Sequence, residues 1–191
     1  MIHLLYEPLP EAVTVGGISM PVLTDFREWL RFAALMQDRD CTAYEKLMLL
    51  PEWFLEPPQI FTGDMLYALR WFYDAADLEP EQKSREMEDP APRKSPTFDW
   101  TVDAKFVLAD FRRFYGIDLL RTEFLHWWEF RALFSALPPE SQTMQRIGIR
   151  STDLSKITDK KRRAQIAAVQ RRIALPFQLD DGDIAEVFDS I

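Results

Sequence analysis

The stretch Leu125-His126-Trp127-Trp128-Glu129-Phe130-Arg131-Ala132-Leu133-Phe134 constrains this chain more than any other. Its spacing is helical, yet apolar side chains point in nearly every direction around the axis. Only burial from most sides satisfies such a helix, so the rest of the chain must supply a core around it. Composition allows this: 47% of the 191 residues are hydrophobic and 13% aromatic, too much apolar matter for a disordered chain. At roughly 100–200 residues per domain, the length favours one domain with at most an appendage.

The neighbouring patterns are also helical. Val102, Phe106, Val107, Phe111, Phe114 and Tyr115 recur at three- and four-residue steps over 100–115, and Gly116 suits the left-handed residue that closes such a helix. Thr122 then caps a helix over 123–137, which Pro138-Pro139 ends. With the short connection 117–121 these two make an α-hairpin over 99–137. Upstream, Asp25 and Glu28 stand in capping-box spacing before a face of Phe26, Trp29, Leu30, Ala33 and Leu35. Thr42 and Glu45 repeat that spacing before a helix over 44–50, ended by Pro51. Leu66, Leu69, Phe72 and Tyr73 form the stripe of a helix over 65–76. The exception lies near the start. Residues 11–22 alternate around Gly16-Gly17, which predicts a β-hairpin whose second strand Pro21 confines to an edge or an end. The fold class is therefore mainly α: a compact helical domain over 1–175 with a small N-terminal β-hairpin, followed by an acidic amphipathic tail over 176–191.

Residues 78–97 break the pattern with Glu, Lys, Arg, Ser and Pro and almost no large apolar side chain. Such a segment cannot offset its ordering entropy by burial, so a mobile surface loop is expected there. Charge is partitioned as well. Residues 146–172 hold nine basic side chains against two acidic ones, whereas the net formal charge of the whole chain is −8. A sequence pI near 4.9 argues against broad binding to nucleic acid, which needs clustered cations free of surrounding acids. One cysteine and two histidines leave no Cys/His zinc site, and no disulfide is possible within the chain. No apolar run reaches the length of a membrane span, and the N-terminus has no basic n-region or cleavage site, so a soluble, intracellular protein is expected.

Three places invite a functional reading. On a helix over 123–137, Glu123, His126 and Glu129 share one stripe and could serve general-base chemistry. No nucleophile in a recognisable context and no glycine-rich phosphate loop accompanies them, so a structural helix with a satisfied histidine is the preferred reading. Second, a basic helix over 158–174, capped by Thr158, carries Lys160, Lys161, Arg162, Arg163, Arg171 and Arg172 outward and Ile166, Ala167, Val169 and Ile173 inward. Cations in its first turn oppose the helix dipole, which points to an acidic counterpart; protein contact is favoured over nucleic acid. Third, Ile184, Val187, Phe188 and Ile191 follow the i, i+3, i+4, i+7 pattern of a helix in a hydrophobic groove. A terminal helix packed on its own domain fits them equally. Asp180, Asp181, Asp183 and Glu186 beside them could face the basic segment of another copy, which would make the chain a homo-oligomer.

The run Phe114-Tyr115-Gly116-Ile117-Asp118-Leu119, followed by Leu125-His126-Trp127-Trp128-Glu129-Phe130-Arg131-Ala132-Leu133-Phe134, closely resembles the bacteriophage Gp-fifteen family. Thr24-Asp25-Phe26-Arg27-Glu28-Trp29-Leu30-Arg31-Phe32, Leu69-Arg70-Trp71-Phe72-Tyr73 and Arg150-Ser151-Thr152-Asp153-Leu154-Ser155-Lys156-Ile157 agree with it in the same order. The resemblance spans about 24–175. It implies a tail assembly chaperone of long-tailed phages and prophages that binds the tape-measure protein, and with it the tail tube subunits. Such a protein works in the bacterial host cytoplasm and is absent from the finished virion. The alternative is a structural tail or neck component retained in the particle. The resemblance implies no catalytic residue and no cofactor. It makes Tyr115, Gly116, Asp118, His126, Trp127, Trp128, Phe130 and Arg131 determinants of the fold, with Arg131 expected to pair with Asp118 because a buried charge needs a partner.

Overall fold

The computed structural model describes residues 6–78 and 96–175. They gather into two compact units, one of 6–78 with 123–133 and one of 96–122 with 134–175. Most of the loop expected over 78–97 and all of the tail over 176–191 lie outside the described residues.

The first unit begins with the expected hairpin. Strands β1 (Ala12–Val15) and β2 (Ile18–Pro21) pair antiparallel with Val13 opposite Met20. Gly16 and Gly17 lie at φ 56° and 81°, and the turn needs this pair of left-handed residues to match the strand twist. Pro21 closes the register opposite Ala12, where its missing N–H costs no ladder bond. The chain leaving β2 stays extended and pairs twice more. Leu23 donates to the Trp53 carbonyl at 2.9 Å and Leu55 to the Pro21 carbonyl at 3.0 Å. Phe26 then donates to Leu125 at 2.9 Å, and Trp127 donates back to Thr24 at 2.7 Å.

Helix α1 (Phe26–Gln37) starts at Asp25, whose carboxylate accepts from the Arg27 N–H at 2.9 Å. Glu28 pairs with Arg31 one turn on. The buried face is Phe26, Trp29, Phe32, Ala33 and Met36, so the stripe lies slightly round from the expected one and leaves Leu30 and Leu35 half-buried. Helix α2 (Ala43–Leu49) carries the expected capping box, Thr42 with Glu45. Pro51 does not stop the chain abruptly; it enters a 3-10 turn over Leu50–Trp53, where its fixed φ is tolerated. Helix α3 (Gly63–Asp74) buries Leu66, Leu69 and Phe72 and packs against β1.

In the second unit, α4 (Ala104–Asp110) passes into a π-helical turn over Phe111–Tyr115, closed by Gly116 at φ 69°. The expected helix over 100–115 therefore starts four residues late. Asp99 is the reason: its carboxylate takes the N–H groups of Thr101 and Val102 at 2.9 and 2.6 Å, a side-chain turn that competes with helix. Helices α6 (Gln142–Ser151) and α7 (Lys160–Ile173) complete the unit. Buried Asp110 reaches from α4 to the start of α6 and accepts from the Gln142 and Thr143 N–H groups at 3.1 and 2.8 Å. Buried Asp103 takes the Arg150 guanidinium on both oxygens. Arg150 also donates to the Thr97 and Ile173 carbonyls at 3.1 and 2.8 Å. A carboxylate this deep persists because both oxygens are filled.

Helix α5 (Trp127–Ser135) corrects the expected α-hairpin over 99–137. It begins at 127, not 123, because the residues before it are spent on the backbone pairing with 24–26. Through Leu133 it belongs to the first unit. There Trp127, Trp128 and Phe130 are at most 1% exposed. Phe130 stacks on Phe26 at 5.0 Å, Trp127 on Tyr73 at 5.4 Å, and Trp29 on Phe72 at 4.7 Å. Each deeply buried indole N–H of this core finds a backbone carbonyl: Trp29 with Leu23, Trp53 with Glu28, Trp127 with Tyr73 and Trp128 with Phe72, at 2.7–3.0 Å. Indoles held at both the ring and the N–H fix position as well as fill volume. Trp128→Ala is expected to lower unfolding free energy by about 3–5 kcal/mol in denaturant titrations. A loss of only a few tenths would mean that this side chain is not in the core.

Candidate interaction surfaces

Of the residues that carry the resemblance, His126, Trp127, Trp128 and Phe130 are buried, and the geometry replaces two expectations. His126 does not lie on a helical stripe with Glu123 and Glu129. It precedes α5, in an isolated antiparallel bridge with Asp25. Its Nδ1 accepts from the Trp128 N–H at 3.1 Å, and its Nε2 lies 3.0 Å from the Pro10 carbonyl. Those partners require the neutral tautomer with the proton on Nε2. The ring thus caps α5 and ties down the chain before β1. Burial lowers its pKa below the ordinary 6.5, against the opposing pull of the Pro10 carbonyl, Glu11 and Glu129. Both nitrogens are committed, and no group of three or more His, Cys, Asp or Glu residues suited to a metal occurs among the described residues.

Arg131 and Asp118 do not pair. Arg131 belongs to the first unit, where it donates to the Tyr73 carbonyl at 3.5 Å and lies 5.6 Å from the centre of the Trp127 ring. Asp118 belongs to the second unit, where it accepts from the Leu120 N–H at 3.1 Å and pairs with Arg112 and Arg121. Each charge meets a partner closer in its own unit. Gly116 supplies the left-handed cap, and Tyr115 meets the buried Phe111 edge-on at 5.5 Å.

The basic segment forms α7, with Asp159 as its cap in place of the expected Thr158. That carboxylate accepts from Lys161 and Arg162 N–H groups at 2.8 and 3.1 Å. It shields a first turn whose cations oppose the dipole. Inward, Ile166, Ala167 and Val169 are half-buried and Ile173 is buried. The packing with α6 is reciprocal at the helix ends. Gln170 donates to the Ile149 and Thr152 carbonyls, both at 2.8 Å, while Arg150 donates to the Ile173 carbonyl. These bonds satisfy C-terminal carbonyls that a helix leaves open. Lys160, Lys161, Arg162, Arg163, Arg171 and Arg172 are all exposed, and none has a carboxylate partner among the described residues. The other anchors named from the sequence, Ile184, Val187, Phe188 and Ile191, lie outside the described residues.

A second surface escaped the sequence reading. Helix α2 is held to the first unit by Lys46, only 4% exposed, whose ammonium donates to the Met36 carbonyl at 2.8 Å in the last turn of α1. With its one long cation turned inward, α2 presents Tyr44, Met48 and Leu49 to solvent, 71%, 63% and 45% exposed. Met48 and Leu49 join Cys41, Asp38, Asp40 and Glu45 around an open depression of about 460 Å³. Hydrogen bonds from the Thr42 backbone and hydroxyl hold Glu45 below the usual carboxylate pKa. In a seven-residue helix a cation turned to the core forces apolar residues outward, and only the fold shows which way Lys46 turns.

The depressed His126 pKa gives a pH test. The unfolded chain takes up the proton first, so the histidine's contribution to stability is complete above about pH 6.5 and is lost as pH falls through the lower folded value. The unfolding midpoint of the native chain should drop between about pH 7 and pH 5. His126→Gln, less stable at pH 7, should drop less over that interval. Equal slopes for the two proteins would remove the ring from this role.

No helix among the described residues is long and apolar enough to cross a membrane. No curated protein and no solved structure matches the chain. The family model described as Bacteriophage Gp15 protein matches residues 5–175, most of the sequence and both units described above. The chain belongs to the bacteriophage Gp15 family.

Proposed function

We propose that this phage protein is a non-enzymatic tail assembly chaperone that binds the tape-measure protein in the host cytoplasm and does not enter the virion. The observation that carries the reading is the outward apolar face of α2. Tyr44 and Met48 are one helical turn apart on a short helix anchored from behind by a buried lysine. Apolar side chains held outward in this way mark a surface that another molecule covers. A long, apolar, helical client such as a tape-measure protein suits that face, and the anionic rim of Asp38, Asp40 and Glu45 keeps the free protein soluble. Binding the client before assembly stabilises its soluble form by mass action.

Co-expression with the tape-measure protein of the same phage tests the reading. The client is expected to become soluble and to co-purify. Tyr44→Asp with Met48→Asp should reduce the co-purified client about tenfold, while unfolding free energy changes by no more than about 0.5 kcal/mol, as exposed sites allow. A client that stays insoluble beside folded native protein would refute the chaperone reading. Undiminished capture by the double variant would move the contact away from α2.

A further inference from the structure

We propose that the outward cationic face of α7 is the docking site for this chain's own acidic C-terminal segment, residues 180–189. The inference goes beyond tape-measure binding and does not depend on it.

The inner face of α7 is committed to α6 through Gln170, Arg150 and the buried Ile173. Its outer face is therefore presented in a fixed orientation. Lys160 and Arg171 are eleven residues apart, as are Lys161 and Arg172. Eleven residues make three helical turns, so the two members of each pair lie on the same line along the axis, about 16 Å apart. Exposed Ala164 and Ala168 lie between the clusters, and their small side chains let another segment approach closely. Asp159 is the one acid within 154–175, and its carboxylate is already spent on backbone N–H groups.

The matching charge follows directly in the chain. Residues 176–191 contain Asp180, Asp181, Asp183, Glu186 and Asp189 and no cation. Helix α7 of 14 residues is about 21 Å long. Asp180 stands seven residues beyond Ile173 and can reach about 23 Å when the chain is extended. The segment can thus turn back and bring its first acids to Arg171 and Arg172 and its last to Lys160 and Lys161. A tethered partner acts at an effective concentration on the order of millimolar, well above that of a second copy in dilute solution. Single exposed ion pairs contribute little, so the contact depends on several acting together and weakens with salt. Docking of this kind would also hide the six cations from nucleic acid.

Zero-length carbodiimide cross-linking of the full chain, read by mass spectrometry, tests the proposal. Lys160 and Lys161 should couple to carboxylates of residues 180–189 within one chain. The yield should be unchanged on dilution and fall several-fold between about 0.05 and 0.5 M salt. In parallel, the full chain with Asp180, Asp181 and Asp183 changed to Asn, Glu186→Gln and Asp189→Asn should bind a short single-stranded DNA probe about tenfold more tightly at low salt, because the cations are uncovered. Absence of those cross-links, or DNA affinity unchanged by tail neutralisation, would overturn the proposal. Cross-links that join two chains and fade on dilution would also overturn it, in favour of contact between copies.

Discussion

The first unit depends on the backbone pairing of Thr24 and Phe26 with Leu125 and Trp127. It joins segments about 100 positions apart and sets the start of α5 against the start of α1. Each strand of the pairing leads directly into a helix, so the two N-termini are fixed together. Asp25 caps α1 and also receives the Leu125 N–H at 3.4 Å, while His126 caps α5. Closing so long a loop is entropically costly. Burial of Trp127, Trp128 and Phe130 immediately after the pairing offsets that cost. The indole N–H groups then make the arrangement specific, because a shifted α5 would strand two buried donors.

The second unit uses charge where the first uses rings. Asp103 and Asp110 are both about 1% exposed, and each connects α4 to α6, the first through Arg150 and the second through the N-terminal N–H groups of that helix. Replacing one partner of such a contact leaves a buried charge uncompensated, so these positions tolerate little change. Arg146, lying 3.9 Å over the Phe106 ring and 3.7 Å from Asp103, adds a second cation to the same contact.

Local signals with a mechanism were legible in the sequence. The Gly16-Gly17 turn, the Thr42–Glu45 capping box, the left-handed Gly116 and the stripe of α3 are each fixed by a few neighbouring residues. Long-range competition was not legible. Nothing near Glu123 indicates that 123–126 gives up helix for a strand-like pairing with 24–26, and this took His126 off its expected stripe. Asp99 likewise had two roles open to it, and the side-chain turn displaced the first turn of the helix. The outward face of α2 was hidden for a related reason: a sequence shows that a helix has an apolar side but not that Lys46 will take the inward position. The cations of α7 were read correctly as a charged face, because a run of that density cannot be buried.

The proposed holding function would use the small apolar face that α2 keeps outward. Under that proposal the protein leaves once the tail is built. The most direct measurement is quantitative mass spectrometry of purified particles beside the lysate that produced them. The account predicts abundant protein in the lysate and none above background in the particles. A fixed copy number per particle, in line with the tail proteins, would contradict it and make the chain a structural component.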